Sequence, residues 1–305
     1  DVYKRQWEAP PKSCACWTSK PSRASPCPLR AMPATGSALP LASSRSVKRV
    51  PSQPAINAPR MIIALITLFA IIHGVKDYVL DDDAYGFLIQ TFAFVPARLS
   101  LTLDPDGLAD AMVALTNARD IAVAKFFLAD GSLAWWAIVT YAFLHADWTH
   151  VIFNSVWLLA FGAPVARRFG EVRFTLFFII TCALGILFHY AMHRFDLTPV
   201  FGASAGVSAL TAAALRFVFQ PTAPLGDHAD DMPSYHQPAL ALTQLFTNVR
   251  VVAFLAIWFV ANFIFGAFSQ GLGITQGPVA WEAHAGGFIA GLLLFSLFDR
   301  VKRQN

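Results

Sequence analysis

The chain has 305 residues and a formal net charge of +4; it is 56% hydrophobic, only 14% charged, and has a mean hydropathy of +0.51. A soluble domain carries roughly a quarter charged residues, so most of this chain must face lipid or other apolar helices. Its basic residues are scattered between apolar stretches instead of massed on one, which gives no reason to expect nucleic acid as a partner.

In chain order, residues 1–59 are rich in Pro, Ser, Ala and Arg, lack a hydrophobic period and read as a disordered extension. The chain starts on Asp1 and its first methionines are Met32 and Met61, so this extension is expected to be foreign to the folded unit. No apolar run precedes Met61, and a secretory signal is not expected. Cys14, Cys16 and Cys27 lie in this region and Cys182 stands alone in an apolar stretch; that is no disulfide framework and a weak metal signal. A membrane domain over 60–298 follows, with six apolar spans at about 61–75, 148–169, 174–192, 200–219, 249–268 and 279–298. An acidic segment, 76–147, separates the first two spans, and a Pro-rich irregular segment, 220–248, separates the fourth and fifth. Residues 299–305 form a basic tail.

Lys48, Arg49 and Arg60 precede the first span, Arg167, Arg168 and Arg173 lie between the second and third, and Arg216 and Arg250 flank the fourth-to-fifth segment. If six spans alternate, all of these and the tail fall on one side, so both termini are expected to be cytoplasmic and the acidic segment to face outward.

Polar groups recur inside three of the spans. The second opens with His145, Asp147, His150 and Asn154, and the last two are four apart, on one helical face. Such groups are costly in a membrane and normally face a bundle interior or a wet cavity. A metal reading of His145, Asp147 and His150 lacks the H-E-x-x-H pattern, and no metal is expected there. The fourth span opens on Gly202, Ala203, Ser204, Ala205 and Gly206, small residues that let another backbone approach and leave one hydroxyl uncovered. The sixth carries His284, followed by Gly287 and Gly291 in G-x-x-x-G spacing. If spans four and six pack, His284 comes near Ser204, and an imidazole beside a hydroxyl is the minimum for nucleophilic catalysis. His150 and Asn154 would then supply donors to an oxyanion. The bland alternative is that Ser204 and His284 merely join two helices, which leaves the polar pair on span two without a role.

The run H-A-D-x-x-H-x-x-x-N ending at Asn154, G-A-S-A-G at Gly202–Gly206 and A-H-A-G-G-F-x-x-G at Ala283–Gly291 together resemble the rhomboid family of intramembrane serine proteases. Glu171 and Arg173 match the family's E-x-R signature, and Thr140, Phe143 and His145 are similar to its lead-in. The resemblance covers about 61–298 and implies an all-α, six-transmembrane-helix bundle of bacterial type. It implies Ser204 as nucleophile and His284 as general base, with His150, Asn154 and the Ser204 backbone N–H on the oxyanion. It implies hydrolysis of peptide bonds in or near transmembrane segments of a membrane-protein substrate, in a lipid bilayer, without metal or organic cofactor. The implied setting is the bacterial inner (cell) membrane, with the site opening outward, a mobile cap at 269–279 and span five as a lateral gate. Two positions depart from the family's pattern: Ala205 stands where Gly often follows the serine, and Ser208 where an aromatic residue often stacks on the base. A small transporter, or a non-catalytic binder of membrane clients, is the alternative from another class; a serine-reactive probe separates them.

Overall fold

The computed structural model describes residues 58–219, 236–268 and 279–301. Residues 1–57 of the expected extension, 269–278 of the expected cap, most of the Pro-rich segment and the last four residues of the tail lie outside the described residues. The first membrane helix is α1 (Arg60–Tyr78), and the second is built from α7 (Trp148–Trp157), a π-helical turn (Leu158–Gly162) and α8 (Ala163–Phe169). Pro164 accounts for the π turn, because it lacks the N–H that the carbonyl four residues back would need. The third is α9 (Glu171–Met192), the central short helix is α10 (Ser204–Leu215), and α12 (Val249–Phe268) and α13 (Trp281–Phe298) complete the set. Five of these spans are long and apolar enough to cross a membrane, and α10 is the shorter sixth. Outward side chains such as Ile71, Val172, Ile257 and Leu297 are exposed hydrophobics that a bilayer would cover. The chain is an all-α integral membrane protein.

The fourth span differs from its expected 200–219. Twelve helical residues rise about 18 Å against a hydrocarbon core of about 30 Å, so α10 cannot cross alone. The remaining depth is taken by an extended lead-in. Val200 exchanges backbone hydrogen bonds with Phe94 (2.7 and 3.1 Å), and Gly202 N donates to the Tyr141 carbonyl at 3.0 Å. Non-helical backbone at this depth is tolerable because protein satisfies its polar groups.

The acidic segment between the first two spans folds into α2 (Asp82–Phe92), α3 (Pro96–Leu103), α4 (Pro105–Val113), α5 (Ala118–Leu128) and the turn α6 (Ala137–Thr140). Asp81, Asp104 and Asn117 cap α2, α4 and α5 by accepting from Ala84, Gly107 and Arg119 backbone N–H groups, and Pro96 and Pro105 occupy first-turn positions. Their apolar faces form a second core around Ile89, Val95, Leu108, Phe127 and Leu144. A four-residue turn, α11 (Leu242–Leu245), precedes α12.

At the opposite end from Ser204, α8, α10 and α13 are tied by buried cations. Arg168 donates to both Asp299 carboxylate oxygens at 2.8 Å, and Arg216, fully buried, donates to the Leu240 carbonyl at 2.7 Å. Each guanidinium lies over a phenylalanine ring, Phe217 and Phe295 respectively.

Candidate active site

The site is built where α10 starts. From Ala205 to Leu215 every residue of α10 is buried, so this helix is surrounded by protein on all sides. Its small residues are what permits that. A Cβ on Gly287 of α13 would run into the Ala205 carbonyl, and one on Gly291 would lie 2.6 Å from Ala209 Cα. A Cβ on Gly185 of α9 would meet Ala205 Cβ at 2.7 Å and the Ala283 carbonyl at 2.8 Å. Three helix backbones therefore converge on Ala205, with Ser204 at the last position before it and His284 one turn before Gly287 on α13. Both Ser204 and His284 are half-buried. Among the described residues no hydrogen bond joins them.

His284 is held from a direction the sequence did not reveal. Its Nδ1 lies 2.8 Å from Asn262 Oδ1 on α12, and Asn262 Nδ2 donates to the Trp258 carbonyl at 2.8 Å. The second bond orients the amide: with Nδ2 committed to Trp258, the oxygen must face the imidazole. An oxygen accepts only, so Nδ1 carries the proton and Nε2 is left with its lone pair. That is the tautomer a general base needs. Ser208, in the place of the family's stacking aromatic, is buried within α10.

On the other side, Asp147 caps α7 by accepting from His150 N at 2.8 Å, which starts the helix that carries His150 and Asn154. A Cβ on Gly202 would stand 2.6 Å from His150 Cε1, and Gly202 has φ +127°, so only glycine serves there. The His150 ring thus lies on the backbone just before Ser204. Asn154 is buried, and its Nδ2 has no hydrogen-bond partner among the described residues. A buried orphan donor costs about 1–3 kcal/mol, a penalty that makes sense where charge is to develop. His145 packs edge-on against His150, ring centroids 5.0 Å apart, and its pKa is pushed down to about 3 by burial first and by His150 and His73 next. Glu171 and Arg173 sit at the far end, where Arg173 donates to the Phe298 carbonyl at 3.2 Å.

A bundle of membrane-crossing helices enclosing a half-buried serine, an oriented imidazole and a buried amide donor defines an integral membrane protein with a polar site. The Rhomboid domain family matches residues 132–300, more than half of the chain, and the chain belongs to that family. It is similar to YdcA of Bacillus subtilis, 27% identical over 122 residues, which are 40% of this chain and 61% of that protein. The rhomboid protease GlpG of Haemophilus influenzae is 26% identical over 171 residues, 56% of this chain and 72% of that protein. RHOMBOID-like protein 4 of Arabidopsis thaliana is 24% identical over 251 residues, 82% of this chain but 54% of that protein. The chain thus spans under two thirds of YdcA and about half of the Arabidopsis relative.

Proposed function

We propose that the chain is an intramembrane serine endopeptidase that hydrolyses peptide bonds in or near transmembrane segments of other membrane proteins through a Ser204–His284 dyad. What supports this most is the Trp258–Asn262–His284 chain of hydrogen bonds, which leaves Nε2 free to accept a proton. Ser204 Oγ attacks the scissile carbonyl carbon while its proton passes to Nε2. The carbonyl oxygen becomes an oxyanion and takes hydrogen bonds from Asn154 Nδ2, the His150 ring and the Ser204 backbone N–H. The C–N bond then breaks, the imidazolium gives its proton to the leaving amine, and an acyl-enzyme remains. A water attacks the ester, delivers its proton to Nε2, and the acid leaves as Ser204 is restored.

A helical substrate hides its carbonyls, so the scissile region must unwind before this geometry is reached. The entry route is the side of α12. Only 11% of its membrane-crossing stretch is buried, against 50% for α9, and a cavity of about 310 Å³ opens beside it, lined by Trp258, Asn262, Phe263 and Trp281. The basic end of the bundle, with Arg168, Arg173 and Arg216, faces the cytoplasm, and the site opens to the outer side of a bacterial cell membrane. The test is labelling by a fluorophosphonate probe together with cleavage of a model transmembrane substrate by the purified protein. Wild type should do both and Ser204→Ala neither; cleavage by the Ser204→Ala protein would sink the assignment.

A further inference from the structure

One cluster outside these residues brings three metal-ligating side chains together. His189 lies in the last turn of α9 and His193 is the residue that caps its C-terminus, and the two rings stack with centroids 4.6 Å apart. Glu282, in the first turn of α13, meets both: Oε2 is 3.3 Å from His189 Nδ1 and Oε1 is 3.1 Å from His193 Nε2. One donor atom from each of the three lies within 4.8 Å of the others. The Glu282 and His189 side chains are buried, while the His193 side chain is 39% exposed, so the cluster is walled by protein yet open to solvent at one corner.

We propose that His189, His193 and Glu282 form a binding site for one divalent transition-metal ion of the Zn²⁺ class, fastening α9 to the start of α13. Two imidazoles and a carboxylate are a donor set that zinc takes, whereas magnesium and calcium prefer oxygen alone. The distances fit as well. A charge-assisted N–H···O bond closes to about 2.7–2.9 Å, and both contacts here are longer. Ligands at about 2.0–2.1 Å on a tetrahedral ion stand about 3.3 Å apart, close to each of the two imidazole–carboxylate contacts, which use different oxygens of Glu282. The widest separation in the triad needs to shrink by no more than about 1.5 Å to reach that edge, a movement within reach of the half-exposed His193 side chain. With three protein donors the fourth position falls to water. His189 Nε2 has no partner among the described residues, and a ligand without that outer support typically binds about 10–100-fold more weakly, so the ion exchanges instead of being locked in. Since α9 also packs on Ala283 and Gly287 through Gly185, an ion here stiffens the turn of α13 that carries His284. Binding does not depend on whether Ser204 hydrolyses anything.

The experiment uses the purified full chain in detergent, freed of metal with a chelator and then titrated with Zn²⁺ by calorimetry, with thermal unfolding followed in parallel. One ion per chain is expected, with a raised Tm, no response to Mg²⁺, and at least a tenfold weaker Kd in both His193→Ala and Glu282→Gln. Co²⁺ on the wild-type protein reads the site without any variant: visible bands of a tetrahedral ion without thiolate charge transfer are expected. Undiminished Zn²⁺ affinity in either folded variant overturns the proposal. So does the absence of stoichiometric binding, an octahedral Co²⁺ spectrum, or a thiolate band that puts the ion on Cys14 and Cys16 instead.

Discussion

Asn262 lies in an apolar run where its neighbours face lipid, and its side-chain amide meets His284. If it positions the base, Asn262→Ala should lower kcat by about tenfold to a hundredfold, less than the roughly 10²–10⁴-fold that general acid–base catalysis is worth because the imidazole itself remains, and leave KM and Tm nearly unchanged. Asn262→Asp keeps an acceptor and should recover part of the loss; equal activity in wild type and Asn262→Ala would remove the residue from the mechanism. On the oxyanion side, losing one donor typically costs about a hundred- to a thousandfold in rate. Asn154→Ala should therefore show such a fall in kcat at little-changed KM, with His150→Ala falling by a different amount. Wild-type rates in both would make the polar face of α7 structural. Ser204, His284, His150 and Asn154 were legible because each stands in a spaced motif. Asn262 was not: a lone amide in a hydrophobic helix has no partner in the sequence, and its partner here comes from 22 residues further on. His189 and His193 are at readable i, i+4 spacing, but nothing in the sequence brings Glu282 to them.

At the scale of elements, hydropathy exposed the long spans because a bilayer demands about 20 apolar residues and little else. It read α10 too long, since Phe201 and Phe219 are as apolar as the helix between them but continue it as extended chain and turn. The helices between the first two spans were hidden for the opposite reason. Their signals are caps and first-turn prolines at Asp81, Pro96, Asp104, Pro105 and Asn117, while each helix is too short for a test built on bilayer length to find. The pairing of spans four and six, by contrast, follows from glycine spacing, and it can be broken there. A valine at 287 or 291 places its Cβ in the Ala205 or Ala209 backbone, and backbone cannot yield as a side chain does. Overpacking typically costs about 1–3 kcal/mol and more when it separates helices. Gly287→Val and Gly291→Val should each lower Tm in detergent and lose activity with it; full stability in either would mean that α10 and α13 adjust in ways this packing does not allow.

Across the whole molecule the two ends of the bundle are fastened by different chemistry, and this sets how the fold responds to acid. The basic end rests on guanidinium hydrogen bonds, from Arg168 to Asp299 and from Arg216 to the Leu240 carbonyl. The other end rests partly on His145, whose ring packs at a tilt against Phe69 of α1 with centroids 4.9 Å apart and whose carbonyl accepts from Lys76 Nζ at 3.1 Å. Burial, with His150, His73 and Lys76 around it, lowers the pKa of His145 from 6.5 to about 3. Unfolding exposes the ring and restores the higher value, so between those limits the unfolded chain binds the proton and the folded one does not. Stability contributed through this residue is thus full above pH 6.5 and falls on acidification, by up to about 1.4 kcal/mol per pH unit, until the folded form also protonates near 3. Other imidazoles add their own slopes, so the measurement is a difference. His145→Leu should start less stable at pH 7.5, because it loses the ring contacts with Phe69 and His150, yet lose less Tm than wild type when taken to pH 5. If the two proteins lose stability in parallel over that interval, His145 is not the group that ties α1 to the start of α7 in a pH-dependent way.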